Sequence, residues 1–406
     1  MDVPRHRSHA LTLVIYAIIL APKIPLLVIA GESAGIRLDD LLMWGLGLPL
    51  LLSDRRLAHD RLFGAAALFA LCCVPSLLLG GTAFYPLRLF QYAMIIPMAA
   101  AAGLDPRRLA FVTLWVNGLA CVLQYAGLIG DFSTGVYSEP YFGARAAGTT
   151  GGPYEAAACA NIAAAFILSA DWRHRLLHRR DAWLAFIIGG ITCVCAASRS
   201  GVVVHVIIFG IYFACTDRFR LAVVAALVVG VAGWSASNGA TVARIDADAL
   251  TSVTEIGSVG SEPIRTGDPS FQFRIQRWRQ ALEVFKGAGW PAAIFGVGMG
   301  RFGPALDGGW LRIMCETGAV GMLGFVVLLV AMTRRLVGVG TPLVIAALPV
   351  LALAGNQVFI DAYIASKLMT LLFVLLGSLR HLDALDMSSS SRYSTVRPPV
   401  WRREIT

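Results

Sequence analysis

The stretch Gly321-Met322-Leu323-Gly324-Phe325-Val326-Val327-Leu328-Leu329-Val330-Ala331-Met332-Thr333-Arg334-Arg335 decides the fold. No charge interrupts it until two arginines close it, and it completes an apolar run that begins near residue 310. A run of about 20 apolar residues crosses a bilayer as a helix, because no water in the hydrocarbon can satisfy an unpaired backbone group. Twelve such runs fall near 11 to 30, 38 to 52, 62 to 80, 84 to 102, 109 to 129, 151 to 170, 182 to 197, 202 to 216, 221 to 236, 310 to 331, 342 to 360 and 363 to 379. The second, seventh and eighth are short. Composition agrees: of 406 residues 57% are hydrophobic and 15% charged, with a mean hydropathy of +0.69, whereas a soluble domain carries about 25% charged residues. The expected fold class is all-α, a polytopic integral membrane helix bundle with about twelve transmembrane helices and one large external loop.

Arginine placement orients the bundle, since cytoplasmic loops retain positive charge. Arg5 and Arg7, Arg55, Arg56 and Arg61, Arg107 and Arg108, Arg173 to Arg180, Arg218 and Arg220, and Arg334 and Arg335 occupy every second connection. Both termini are therefore expected in the cytoplasm. The net charge of +9 is mostly this topogenic excess, so no nucleic-acid partner is expected. The first span is read as retained, for no cleavage site follows it. Residues 1–380 form one membrane domain, 237–309 its large external loop, and 381–406 a tail rich in Ser, Arg and Pro that is expected to be disordered. All eight cysteines lie in or beside spans and are read as small packing residues. P-loop, Rossmann and zincin patterns are absent, which disfavours ATP hydrolysis, dinucleotide redox chemistry and zinc proteolysis.

Basic residues that violate the topology rule carry more information. Arg37, Arg88, Arg145 and Arg199 fall at the external side, Arg199 in the tight turn Ser198-Arg199-Ser200-Gly201. A guanidinium keeps its charge at a membrane surface and forks two hydrogen bonds onto phosphate oxygens, so these are candidate anchors for an anionic lipid head group. Snorkelling or a local ion pair is the competing explanation.

A second basic group lies in Phe271-Gln272-Phe273-Arg274-Ile275-Gln276-Arg277-Trp278-Arg279. Asp268 and Pro269 predict a helix start, with Phe271, Ile275, Trp278, Leu282 and Phe285 on one face to about Lys286. This fits a helix in the outer interface with cations at head-group level, or one that packs the loop onto the bundle. Acidic candidates are Glu155, with Asn161 in the same span, Asp307 before the tenth span, Glu316 inside it, and Asp361. Arg312 and Glu316, four apart, are expected to neutralise each other, and Asp361 and Lys367 likewise. Lys23 has no partner evident in the sequence, and His205 reads as a hydrogen-bonded packing residue.

The run Asp307-Gly308-Gly309-Trp310-Leu311-Arg312-Ile313-Met314-Cys315-Glu316-Thr317-Gly318-Ala319-Val320-Gly321 resembles the signature of the O-antigen ligase and polysaccharide polymerase superfamily. There, an external loop ends in a polar residue, an aromatic-Leu pair and Glu-x-Gly-x-x-Gly. Ile36-Arg37-Leu38-Asp39-Asp40 resembles the segment before the family's second span. Arg145-Ala146-Ala147-Gly148-Thr149 with Asn161 resembles its central motif, and Ser198-Arg199-Ser200-Gly201 its Ser-Arg turn. Arg274 through Trp278, followed by Gly296 to Phe302, resembles its loop helix and glycine segment. The likeness covers roughly residues 140–330. Ligases of the family carry a His-Asn pair where this chain reads Asp307-Gly308, a departure that favours the polymerase branch.

The resemblance implies a GT-C-type glycosyltransferase of the bacterial inner membrane that uses a polyprenyl-diphosphate-linked glycan, with no cofactor and no metal. Its work would be polymerisation of oligosaccharide repeat units into a surface or exopolysaccharide. Ligation to a lipid or protein acceptor, or transport as a flippase, are the alternatives. Under it, Arg199 and Asp307 are the expected catalytic residues, Asp307 as the base toward the incoming hydroxyl. Arg145, Arg274, Arg277 and Arg88 would hold the diphosphate, supported by Glu316, Asn161 and Trp278. A chain-length regulator and a flippase of the same pathway are the expected partners.

Overall fold

The structure, a computed structural model, describes residues 9–23, 25–27, 36–54, 59–130, 145–174, 179–216, 220, 269–303, 306–338 and 341–393. It is helical apart from a short antiparallel ribbon, β1 (Pro25–Leu27) with β2 (Ile36–Arg37). The helices are α1 (His9–Leu20), α2 (Leu38–Ser53), α3 (Arg61–Cys73, continued by a 3₁₀ turn Val74–Leu79), α4 (Phe84–Ala93) and α5 (Ile95–Ala102). Then come α6 (Pro106–Tyr125), α7 (Pro153–His174), α8 (Arg179–Cys195), α9 (Arg199–Thr216), α10 (Pro269–Gly287) and α11 (Gly289–Phe295). The chain closes with α12 (Gly309–Gly338), α13 (Leu343–Ala346), α14 (Leu348–Asn356) and α15 (Ser366–Tyr393). Among the described residues four helices are long and apolar enough to cross a membrane: Arg61–Leu79, Pro106–Tyr125, Arg199–Thr216 and Gly309–Gly338. The apolar run at 221 to 236 and the loop from 237 to 268 lie outside the described residues.

Several apolar runs are not single helices, and proline is the reason. The first run stops at Leu20 rather than near 30, because Pro22 and Pro25 follow and proline disfavours helix at and before itself. The run at 84 to 102 divides at Met94, where Pro97 cannot donate to the carbonyl of Ala93. The run at 342 to 360 divides at Ala347, two residues before Pro349. Conversely, α15 continues to Tyr393, so the tail expected to be disordered from 381 begins as helix. Its first residues contain neither Pro nor Gly and include good helix formers.

α7 is the central helix. From Ala156 to Leu168 every side chain is at most 3% exposed. A helix apolar on all sides belongs in the middle of a bundle, and its alanines let neighbours approach closely, which is how helices gain packing energy where lipid supplies no hydrophobic drive. The first part of α15 is buried in the same way, from Lys367 to Leu376.

The site depends on a break in α12. Gly318 has φ 64° and ψ −161°, so the helix stops and restarts there. The freed carbonyls of Cys315 and Glu316 accept from the amides of Val297 (2.8 Å) and Gly298 (3.2 Å). Buried backbone groups must find such partners, and here a glycine loop supplies them. Gly296, at φ 79°, approaches so closely that a Cβ would lie 2.1 Å from the carbonyl carbon of Glu316. The glycine run 296–300 is thus a packing loop.

Ion pairs sort to two ends of the bundle. At one end Arg335 meets Asp60 at 3.5 Å and Arg107 pairs with Asp181. Asp60 also caps α3 through the amides of Leu62 and Phe63. At the other end lie Lys23, Asp40, Arg88, Glu155, Arg274, Asp307, Arg312 and Asp361.

Candidate functional site

The turn between α8 and α9 presents Arg199. Ala197 takes a left-handed φ of 47°, and Ser198 caps α9 by accepting from the amide of Gly201 at 3.2 Å. Asn161 of α7 donates to the carbonyl of Gly201 at 2.9 Å and fixes the turn against the central helix. The other side of that amide meets His205 Nδ1 at 2.9 Å, and His205 Nε2 lies 2.9 Å from the carbonyl of Phe186. His205 is the packed, hydrogen-bonded residue its context predicts, and Asn161 supports the turn.

Arg145 grips this turn from the opposite side. Its Nε and Nη2 donate to the carbonyls of Ala196 (3.3 Å) and Ala197 (3.5 Å), satisfying the end of α8 with a cation. Its Nη1 donates to the Tyr154 hydroxyl at 3.1 Å, and the guanidinium carbon stands 4.4 Å from the Tyr154 ring centroid. Arg199, exposed at the first position of α9, follows Ala197 by two residues. Chain geometry holds those two Cα atoms within roughly 7.6 Å.

Arg274 reaches the same tyrosine from α10. Its Nη2 donates to the Tyr154 hydroxyl at 3.0 Å, and its guanidinium carbon lies 5.3 Å from the ring centroid. Its Nε donates to Asp307 at 3.4 Å, with both side chains partly exposed. Arg277, one turn along and exposed, adds its field at Asp307. Burial raises the Asp307 carboxyl above its ordinary value; Arg274 and then Arg277 pull it back, and Asp361 adds to the rise.

Asp307 sits in a strained turn, φ 55°, and the surroundings hold it there. Asp361 accepts from the amides of Leu306 (3.2 Å) and Gly308 (3.3 Å). Trp278 Nε1 donates to the carbonyl of Leu306 at 3.0 Å. Behind the turn Arg312 is 0% exposed and donates to Glu316 (3.1 Å), Asp361 (2.8 Å) and the carbonyl of Gly303 (2.6 Å). Glu316 also accepts from the amide of Phe302 at 3.4 Å. Glu316 and Trp278 therefore support the turn that presents Asp307.

The apolar face of α10 is packed, with Ile275 1% and Trp278 8% exposed against Leu306 and Cys315, so this helix seats on its neighbours, one of the two arrangements its sequence allows. Two expectations change. Asp361 pairs with Arg312 and not with Lys367, whose ammonium donates to the carbonyl of Ile18. Arg88 is engaged elsewhere: it is 8% exposed, lies 3.4 Å from Asp40 and stacks over Phe84 at 4.3 Å. Asp40 also accepts from Gln91 at 2.5 Å and from the Arg37 amide at 2.9 Å. A buried ion pair is costly to open, and this one engages the Arg88 guanidinium that was expected to hold a diphosphate.

Sequence reasoning missed Tyr154 and the partner of Lys23, which is Glu155 at 2.5 Å. The available signal for Tyr154 was an aromatic at the first turn of a polar-ended span, which is commonplace at membrane boundaries. Among the described residues no group of His, Cys, Asp or Glu is arranged to hold a metal ion. The arrangement offers converging cations over an aromatic hydroxyl beside one carboxylate of raised pKa. Guanidinium groups fork hydrogen bonds onto phosphate oxygens, and a carboxylate beside them is placed to accept a proton. No protein-family model matches the chain, and no curated protein matches it.

Proposed function

We propose that the chain is an integral membrane glycosyltransferase of the GT-C type that joins polyprenyl-diphosphate-linked oligosaccharide units at the external face of a bacterial inner membrane. The observation that carries this reading is that Arg145 and Arg274, far apart in sequence, donate to one Tyr154 hydroxyl beside Asp307. In the proposed reaction a hydroxyl of the acceptor glycan attacks the anomeric carbon of the donor. The bond from that carbon to the diphosphate oxygen breaks, and the polyprenyl diphosphate leaves with the bonding pair. Asp307 takes the hydroxyl proton. Arg145, Arg199, Arg274 and Arg277 stabilise the charge that grows on the leaving group, as donors fixed in place before the reaction. Twelve spans with both termini cytoplasmic fit the alternation of arginines and the sorting of ion pairs to two ends. The site end is then the external one.

Lipid-linked repeat units extracted from cells lacking the protein, incubated with the purified full chain and sized on a gel, test the reading. Ladders of longer glycan are expected. Movement of labelled units across a vesicle membrane with no change in length would instead indicate a flippase. A reporter fused after residue 260 should be external.

A further inference from the structure

α6 carries two polar side chains that the reaction proposed above does not use. Asn117 and Gln124 are seven apart, so they stand two turns from each other on one face of the helix. Both face the segment that carries Arg145 and leads into α7. Gln124 grips Gly148 by both backbone groups: its Oε1 accepts from the Gly148 amide at 2.7 Å, and its Nε2 donates to the Gly148 carbonyl at 3.0 Å. Asn117, which is buried, accepts from the next amide, that of Thr149, at 3.2 Å and donates to the carbonyl of Ala156 at 3.1 Å. Gly148 is buried with a φ of 58°, and a Cβ there would lie 2.0 Å from Asn117 Oδ1, so only glycine fits. A buried amide and carbonyl must find partners, and in a loop with no ladder to join, one glutamine supplies both.

These contacts fix the root of Arg145. Gly148 follows it by three residues, and between them the Ala146 amide donates to the carbonyl of Cys195 at 3.0 Å. The segment is thus pinned to α8 at Ala146 and to α6 at Gly148 and Thr149, and from it Arg145 reaches Ala196, Ala197 and Tyr154. Without Gln124, the two buried groups of Gly148 would stay unpaired or turn toward water, and either outcome shifts the backbone that carries the guanidinium. A misplacement of about 1 Å at a charge-stabilising group costs as much as about 100-fold in rate.

We infer that Gln124 is a positioning residue for the transfer reaction, setting where Arg145 stands through the backbone of Gly148 and not by contact with substrate. This inference rests on the glycosyl-transfer reading and adds to it a neutral residue outside the cluster of cations.

The test is a double-mutant cycle on the full chain in lipid nanodiscs, with lipid-linked repeat units as substrate. Wild type, Gln124→Met, Arg145→Ala and the double variant are compared by their rate of transfer at low donor concentration, per mole of protein shown to be folded by thermal unfolding. Gln124→Met keeps the length of the side chain and removes both hydrogen bonds. It is expected to lower the rate about tenfold when Arg145 is present and by no more than about twofold in the Arg145→Ala background, because residues that act through one another are not additive. Gln124→Glu keeps the acceptor for the Gly148 amide and loses only the donor, so it should fall by less, and it replaces Gln124→Met in the cycle if that variant unfolds. An equal loss in both backgrounds, as a general loosening of the loop would give, or no loss in either, overturns the inference and leaves the transferase reading intact. Wild type without any transfer removes that reading, and the inference with it.

Discussion

Two arginine clusters meet at one end of the bundle, joined in sequence only by the short stretch from Asp307 to Arg312, and their chemistry diverges. Around Arg312 every fork of the guanidinium is occupied: Glu316, Asp361 and the carbonyl of Gly303 take its donors, and the side chain is 0% exposed. Around Tyr154 the Arg145 guanidinium is also occupied, but by uncharged partners, the carbonyls of Ala196 and Ala197 and the hydroxyl it shares with Arg274, and the carboxylate beside them, Asp307, sits at 3.4 Å from Arg274. The first cluster balances its charge and holds a turn in place. The second keeps an excess of cation at a partly open position, which is the condition for recruiting an anionic ligand. Residue type alone does not separate scaffold from site; the surplus charge and the exposure do.

The comparison can be broken first at its active half. Asp307→Ala and Arg274→Ala should each lower transfer about 10²- to 10⁴-fold, the range for losing a general base or a charge-stabilising donor, with protein abundance unchanged. Normal polymer in either variant would take that residue out of the site. In the scaffold half, Arg312→Ala leaves Glu316 and Asp361 buried without their cation. It should destabilise the protein by about 3 to 5 kcal/mol, read as lost abundance and early unfolding in detergent. A smaller effect is expected of Tyr154→Phe, which keeps the ring and removes the shared acceptor. Transfer should fall about tenfold, the equivalent of about one net hydrogen bond, because both guanidiniums lose the oxygen that positions them but keep their other partners. Tyr154→Ala, which also removes the cation–π platform, should fall further.

The smallest effect is on pH dependence. A base works only when deprotonated, so transfer should decline as pH falls through the pKa of Asp307, which burial raises from its ordinary value. Arg274 lowers that pKa. Arg274→Gln should therefore move the acid limb to higher pH in whatever activity remains, and a limb that stays put would remove Asp307 as the titrating base.

Part of this arrangement is legible in the sequence. The helix at Pro269–Gly287 follows from Asp268 and Pro269 and the spacing of its apolar residues, because caps and periodicity are local properties. The pair Arg312 and Glu316 is four apart on one helix and needed no tertiary information. By contrast Lys23 with Glu155, Arg88 with Asp40 and Arg312 with Asp361 join segments separated by dozens of residues or more. A lone charge near a span can pair with any opposite charge on the same side, so the sequence leaves several partners open. Tyr154 was invisible for a related reason, since its role consists wholly of contacts made by two other segments.

Residue order alone dictates the helical, apolar character of the chain and the supply of arginines and lysines between its apolar runs. Both follow from composition, span length and proline position, which act residue by residue on solvation and backbone geometry. Only the tertiary structure decided which arginines neutralise acids and which converge on Tyr154. Pairing energy depends on distance and burial, and those are properties of how the helices pack around α7.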